Sequence, residues 1–299
     1  MYSKDAAADR AFFRDVLGFS SLVSGDRHAD RIAAYLNSLC TISDPAAKTT
    51  PANAIEYVVF SDSIIITTKD DSDESFELLL ARCSLVFGAL LQNEISVRGA
   101  IAHGTFMREK TPSGTFVAGR AIVEAYQFEE KQDWIGIMVS PSVRQRIPDL
   151  ERRCLLATPG PYDNVQEFKQ QIGWAQYLQR ASIPFHGEAG ETVDYEGLAV
   201  VPSTGNFDPK SLTDSLGKSL ACLRRLKSIA PAPPAQQKHT RTIHWLSAVW
   251  GSWAAVVDAL GDLQKLDDRQ KSRSSAQHVA LDPEADRAAG LSRRMRRRR

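Results

Sequence analysis

Two aspartates in matching contexts are the residues best placed to do chemistry: Asp15 in Phe12-Phe13-Arg14-Asp15-Val16-Leu17-Gly18-Phe19-Ser20, and Asp62 in Tyr57-Val58-Val59-Phe60-Ser61-Asp62-Ser63-Ile64-Ile65-Ile66. Each ends or interrupts an apolar run that reads as a strand. A carboxylate on otherwise core-facing backbone is heavily penalised by desolvation unless it is neutralised, and a divalent cation shared by two such groups neutralises both. Hard oxygen ligands suit magnesium or manganese. Two such ions, roughly 3.5–4 Å apart, hold the attacking and leaving oxygens of an in-line phosphoryl displacement. Either aspartate alone reads as an ordinary strand-end residue facing water; the pair in these surroundings points to a metal site.

The elements that must position them follow from the pattern of the chain. Residues 11 to 19 are aromatic and apolar apart from Arg14 and Asp15, and Gly18 with two serines then breaks the strand. Ile32, Ala33, Tyr35, Leu36 and Leu39 recur at helical spacing. Residues 55 to 67 are rich in β-branched and aromatic types around Ser61-Asp62-Ser63, which predicts a hairpin with Asp62 in its turn. A helix from about Asp73 to Gln92, a strand from Ile95 to Thr105 carrying Arg98 and His103, a helix from about Ala121 to Lys131 and a strand from Trp134 to Val139 come next. Ser140-Pro141-Ser142 is expected to cap a short helix. Strand and helix units with a hairpin between them define an α+β sheet. Residues 155 to 195 read as loop, with a strand Leu198 to Val201 closing a domain of residues 1–202. A helical extension is expected over 203–266, interrupted by Pro231-Ala232-Pro233-Pro234 and carrying Trp245, Trp250 and Trp253. From Asp267 the charged composition predicts a disordered, Arg-rich tail.

Composition narrows the function classes. The 299 residues, 43% hydrophobic and 24% charged, are ordinary globular material. The net charge of +1 conceals Arg293, Arg294, Arg296, Arg297, Arg298 and Arg299; without them the chain is acidic, so DNA is not the expected partner. Cys40, Cys83, Cys154 and Cys222 are scattered, with no CxxC pair, and read as buried thiols of a reducing cytosol. No apolar run approaches the roughly 20 residues that span a bilayer, and the start lacks a leader pattern, so a cytoplasmic protein without a membrane is expected. Leu216-Gly217-Lys218-Ser219 is not a P-loop, since position 212 is Leu and no strand precedes it.

With both aspartates and the order of elements in place, residues 9 to 140 resemble a class III nucleotidyl cyclase catalytic domain, and more narrowly the pyrimidine cyclases of the Pycsar antiphage systems. The likeness lies in Asp15-Val16-Leu17-Gly18-Phe19-Ser20, in Phe60-Ser61-Asp62-Ser63, in Val97-Arg98-Gly99-Ala100-Ile101-Ala102-His103-Gly104, and in Gly119 leading to Val123-Glu124-Ala125-Tyr126. The resemblance implies a ferredoxin-like βαββαβ fold and a head-to-tail homodimer with sites at the interface. It also implies two Mn2+ or Mg2+ ions per site, held by Asp15, Asp62 and the Val16 carbonyl. Gly18, Phe19 and Ser20 then lie where backbone N–H groups entering a helix cradle phosphate, although Ser20 serves equally as a helix N-cap. Tyr57 takes the position five before the second aspartate, where purine cyclases carry a polar base-reading side chain, and Phe116 or Val117 takes its counterpart. Both suit a pyrimidine, while Tyr57 is equally a half-buried strand aromatic.

One departure concerns the transition state. Many class III cyclases carry Asn and Arg on the helix after the glycine, where this chain has Val123 and Gln127. Arg98 and Arg120 are the candidates to stabilise phosphoryl charge, with a structural ion pair as the alternative for Arg98. His103 reads as structural, and Glu124 and Glu129 are expected to face solvent or the partner. The expectation is a uridylate cyclase making 3′,5′-cyclic UMP from UTP, with CTP as close alternative and a separate cyclic-nucleotide-binding effector reading the product. The rivals are an adenylate or guanylate cyclase and an inactive module of the same fold used for dimerisation or nucleotide sensing.

Overall fold

Six successive buried residues, Ser63–Thr68, form β3, and this run of β-branched side chains lies inside the sheet where both faces are covered. The computed structural model describes residues 10–16, 55–60, 63–112, 114–155, 173–187, 191–203 and 209–280. Within them β1 (Arg10–Val16), β2 (Ile55–Phe60), β3 (Ser63–Thr68), α1 (Asp73–Gln92) and β4 (Val97–His103) are followed by β5 (Met107–Thr111), β6 (Gly114–Ala118) and α2 (Arg120–Glu130). Next come β7 (Gly136–Val139), α3 (Pro141–Arg146), α4 (Leu150–Arg153), β8 (Leu178–His186), β9 (Thr192–Val200), α5 (Pro209–Ile229) and α6 (Pro233–Ala280).

The seven-stranded sheet runs β2-β3-β1-β4-β7-β9-β8, and β5-β6 is a separate hairpin. The first four strands are antiparallel neighbours, while β7 joins β4 in parallel. The order β2-β3-β1-β4 is that of a ferredoxin-like βαββαβ unit, with α1 as its second helix, so the α+β expectation holds. The expected helix between Ser20 and Cys40 lies outside the described residues.

Helix α1 starts where Ser72 accepts a hydrogen bond from the Ser75 N–H at 3.2 Å, with Asp73 and Glu74 in the first turn against the helix dipole. Its apolar face, including Phe76, Leu80, Phe87 and Leu90, packs with Ile64, Ile66, Val97 and Ile101 on one side of the sheet. On the other side Ala121, Ala125 and Phe128 of α2 cover Ile65, Ala100, Ala102 and Met138. Gly88 marks a close approach, because a Cβ there would lie 2.1 Å from the Ser203 carbonyl oxygen.

The structure departs from the sequence expectation in three places. The stretch read as loop contains β8 and the first four residues of β9, a nine-residue antiparallel pair from Leu178↔Val200 to His186↔Thr192. Pro184 is accommodated because β8 is an edge strand, where a missing N–H removes no ladder bond. The C-terminal helices are not an appendage: Leu212, Leu216 and Leu223 of α5 and Leu246 and Trp253 of α6 belong to the same apolar core as α1. Ser203 N–H also bonds the Ser84 carbonyl across the presumed boundary at residue 202. Finally, α6 begins at Pro233 and runs on to Ala280, fourteen residues into the stretch read as tail; residues 281–299 lie outside the described residues.

Ser219 is fully buried inside α5, which fits a helix position and not a phosphate loop. Cys83 and Cys154 are buried free thiols, and burial pushes the Cys154 thiol up to about 12. No helix among the described residues is long and apolar enough to cross a membrane.

Candidate active site

Asp15 is the penultimate residue of β1, and the ladder places it opposite Ser63 on one side and Arg98 on the other. Val16 faces Val97. Asp62 and Gly18, Phe19 and Ser20 lie outside the described residues, but Asp62 immediately precedes Ser63, the register partner of Asp15. The β2–β3 connection therefore starts beside the end of β1. The donors expected from the sequence, the Asp15 and Asp62 carboxylates and the Val16 carbonyl, are all oxygens, a set whose chemistry suits magnesium or manganese and not a softer ion. No cluster of three or more His, Cys, Asp or Glu residues able to hold a metal occurs among the described residues.

Arg98 is not free to meet a phosphate. Its Nε–H is paired with the Oε1 of Glu129, and its Nη1 donates to the Gln132 carbonyl at 3.0 Å. Glu129 is 2% exposed, which corrects the expectation that it faces solvent. A carboxylate buried so deeply needs a cation, and Arg98 on the adjoining strand supplies it. The polar column continues inward. Gln132 is fully buried; its amide donates to the Gly99 carbonyl at 3.0 Å and its Oε1 accepts the Trp134 indole N–H at 2.9 Å. Thr242 of α6 then accepts from Ile135 N–H at 3.0 Å and donates to Ile135 C=O at 2.7 Å. One turn earlier on α6, His239 meets the Ser96 hydroxyl at 3.2 Å, and burial holds its pKa below the ordinary histidine value. The C-terminal helix is thus wired to the strand ends that flank Asp15. Nothing local in the sequence linked residues 98, 129, 132 and 242; only the pairing of elements does.

The other candidates gather at the opposite end of the same strands. Arg10 pairs with His103 and Asp15 with Arg98, so the two ends of the β1–β4 ladder are five residues apart, roughly 17 Å at the usual strand rise. Beyond His103 come the β5–β6 hairpin and Gly119, whose φ of +149° and whose Cβ position 2.2 Å from the Thr105 carbonyl oxygen admit only glycine. Arg120 opens α2 there and is exposed, and Phe116 on β6 is 58% exposed. Strand β2 is tied to this hairpin by Arg108, which bonds Glu56 at 2.8 Å and is the register partner of Val117. Tyr57, next to Glu56, pairs with Ile66 in the β2–β3 ladder. Val123 (54% exposed) and Tyr126 (49% exposed) on α2, and Phe116 and Met107 on the β5–β6 hairpin, are exposed apolar side chains.

His103 lies 3.6 Å from Asp71, which also pairs with Arg146, and its backbone N–H donates to the Ser142 hydroxyl, a structural setting as expected. Glu124 is turned inward, accepting from the Ser140 hydroxyl and the Ser142 N–H to close the start of α3. Of the tryptophans, Trp253 is buried, Trp245 packs edge-on against Trp134 and Trp250 is 42% exposed.

No protein-family model and no curated protein matches this sequence. Among solved structures the chain is similar to the adenylyl cyclase CyaB from P. aeruginosa, with 14% identity and a TM-score of 0.39 over 65% of this chain and 94% of that one. It is also similar to the guanylyl cyclase domain of the RhoGC fusion protein from the aquatic fungus Blastocladiella emersonii, with 13% identity and a TM-score of 0.42 over 67% and 99%. Adenylate cyclases from Trypanosoma brucei align at 12% identity and a TM-score of 0.36 over 69% and 93%. Scores and identities at this level do not themselves establish a common fold; the α+β architecture rests on the strand order and register.

Proposed function

We propose that this chain is a metal-dependent nucleotide cyclase that converts UTP to 3′,5′-cyclic UMP and pyrophosphate as a head-to-tail homodimer, with CTP as the closest alternative substrate. The observation that carries the reading is the segregation of its candidate residues. The Asp15 end holds the acidic oxygen donors, and the end with Phe116 and Arg120 holds an exposed ring and a cation, roughly 17 Å away along β1 and β4. One chain cannot bring both to a single nucleotide, whereas a second copy turned head-to-tail sets one end against the other. The exposed apolar side chains of Met107, Phe116, Val123 and Tyr126 support such an interface.

In this reading Asp15, Asp62 and the Val16 carbonyl hold two Mg2+ or Mn2+ ions. When bound, the ions supply charge neutralisation and a lowered pKa for the ribose 3′-hydroxyl. Gly18, Phe19 and Ser20 offer backbone N–H groups to the triphosphate. The partner's copy of the Arg120 position presents its guanidinium to the phosphoryl oxygens, the role that Arg98 is turned away from by Glu129. The ribose O3′–Pα bond forms, the bond from Pα to the pyrophosphate oxygen breaks, and the hydroxyl proton passes to solvent. Phe116 with Tyr57, next to the Glu56–Arg108 tie, are the residues assigned to the base wall, and their bulk favours a pyrimidine. The cyclic product is proposed to serve antiphage defence through a separate cyclic-nucleotide-binding effector.

The test is incubation of purified protein with manganese and each of the four ribonucleoside triphosphates separately, with mass spectrometry of the products and Asp62→Ala as control. A cyclic pyrimidine monophosphate that vanishes in the control is the expected result. A cyclic purine product would overturn the base assignment, and no product from any nucleotide would favour a non-catalytic module.

A further inference from the structure

Strand β4 is flanked by β1 along its whole length, but β7 covers its other side only from Gly136, the register partner of Arg98. At the acidic end of the sheet Arg98 and Val97 stand across from Asp15 and Val16, and among the described residues no second strand continues past Gly136 there. A lattice of side chains takes its place. Gln132, fully buried, donates from its amide to the Gly99 carbonyl at 3.0 Å, and its backbone carbonyl accepts from Arg98 Nη1 at 3.0 Å. Ser96, just ahead of the strand, meets the His239 ring at 3.2 Å.

The 132–135 segment that carries this lattice is itself gripped from α6. Arg241 Nη1 donates to the Asp133 carbonyl at 2.8 Å and is paired with its carboxylate, to which Lys238 adds a contact at 3.6 Å. Trp245 packs edge-on against Trp134, with ring centroids 5.2 Å apart. The Thr242 hydroxyl holds both main-chain groups of buried Ile135, at 3.0 and 2.7 Å, and does for them what a neighbouring strand does elsewhere in the sheet. Residues 238, 241, 242 and 245 fall at i, i+3, i+4 and i+7, one face of the helix. Each residue of the segment is thus fixed either by β4 or by α6.

We propose that Thr242 and Arg241 are positioning residues of the active site: through the 132–135 segment they hold Arg98 and the end of β4, and so keep the Asp15 end of β1 where its metal ions require it. The inference rests on the cyclase reading above. A strand end with backbone partners on one side only opens locally at low cost, and a reacting group displaced by about 1 Å costs about 10²-fold in rate. Helix α6 is then part of the catalytic unit and not an accessory to it.

The test compares the full chain with Thr242→Val, which keeps the side chain's shape and deletes its hydroxyl, with Thr242→Ser, which keeps the hydroxyl, and with Val256→Ala, which thins the core of α6 away from the segment. With UTP and manganese, Thr242→Val should lower kcat at least about tenfold with little change in KM, and Thr242→Ser should restore most of it. Val256→Ala should lower the melting temperature and leave kcat unchanged. Hydrogen exchange followed by mass spectrometry reads the same coupling without turnover. In Thr242→Val the amides of 10–16 and 97–99 should exchange at least about tenfold faster, and in Thr242→Ser at the wild-type rate. Should Thr242→Val not fold, Arg241→Met, which releases Asp133 and leaves Ile135 held, is expected to show the same signature. Unchanged exchange at 10–16 in Thr242→Val, or an equal fall of kcat in Val256→Ala, would overturn the assignment. A wild-type chain that turns over no nucleotide would fail the cyclase reading alone, and the exchange comparison would still decide this one.

Discussion

The carboxylate of Glu129, 2% exposed on α2, is paired with the guanidinium of Arg98 on β4, the residue directly across the ladder from Asp15. The pair joins the layer of α2 to the strand that flanks the acidic end of the sheet. Removing Glu129 leaves a guanidinium that is only 13% exposed without its counter-charge. Glu129→Ala should therefore destabilise the fold by about 3–5 kcal/mol, whereas the double change Arg98→Met, Glu129→Leu should recover much of the loss. Urea unfolding of the single and double variants measures both, and additive losses would show that the two charges do not act as a pair.

If each site draws Asp15 from one protomer and Arg120 from the other, two inactive variants should rescue each other. Asp15→Ala and Arg120→Ala are each expected to lack cyclase activity while keeping their melting temperatures. Co-refolded at equal concentration, they should regain about a quarter of wild-type activity, because half of the dimers are mixed and hold one intact site of two. No recovery on mixing would place both residues in the same chain's site.

The exposed side chains of Phe116 and Tyr126 should govern self-association. Phe116→Asp and Tyr126→Asp place carboxylates where the interface needs apolar contact, and each should weaken dimerisation by at least about tenfold. Sedimentation velocity at several concentrations reads this directly. Unchanged sedimentation would remove these residues from the interface.

His239 links stability to pH. Burial lowers its pKa in the folded chain, and its ring nitrogens are engaged by Ser96 Oγ at 3.2 Å and the Ala235 carbonyl at 2.8 Å. The unfolded chain therefore binds this proton more readily than the folded one. The resulting stability is complete above the ordinary histidine value of about 6.5 and declines as pH falls below it towards the depressed folded value. Denaturation midpoints should fall as pH drops below about 6.5, and His239→Gln should flatten that slope. A variant with the wild-type slope would assign the effect to other groups.

How much could be read from the chain alone differs by element. Helix α1 was legible because its apolar face, its Ser72 cap and its length are all local, and its expected limits agree with those observed. The hairpin of β2 and β3 was legible for the same reason, as β-branched runs around a two-residue break. Strands β8 and β9 were not, because Pro184 and the flanking glycines signal loop unless the strand is known to lie at an edge. The end of α6 was missed because its last turns are polar, and only the docking of Leu246, Val249 and Trp253 explains a helix that starts here and propagates outward.

Residue identity by itself determined which groups can do chemistry: acidic oxygen donors at positions 15 and 62, a glycine at 119 where no side chain fits, and cations at 98 and 120. These are properties of side-chain type and short spacing, which survive without knowledge of the fold. Tertiary structure alone decided where they lie relative to one another. The ladder set Asp15 beside Arg98, the burial of Glu129 turned that guanidinium inward, and the length of β1 and β4 kept Phe116 and Arg120 away from the acidic end. Long-range strand pairing and desolvation decide such matters, and neither is written in a local window of sequence.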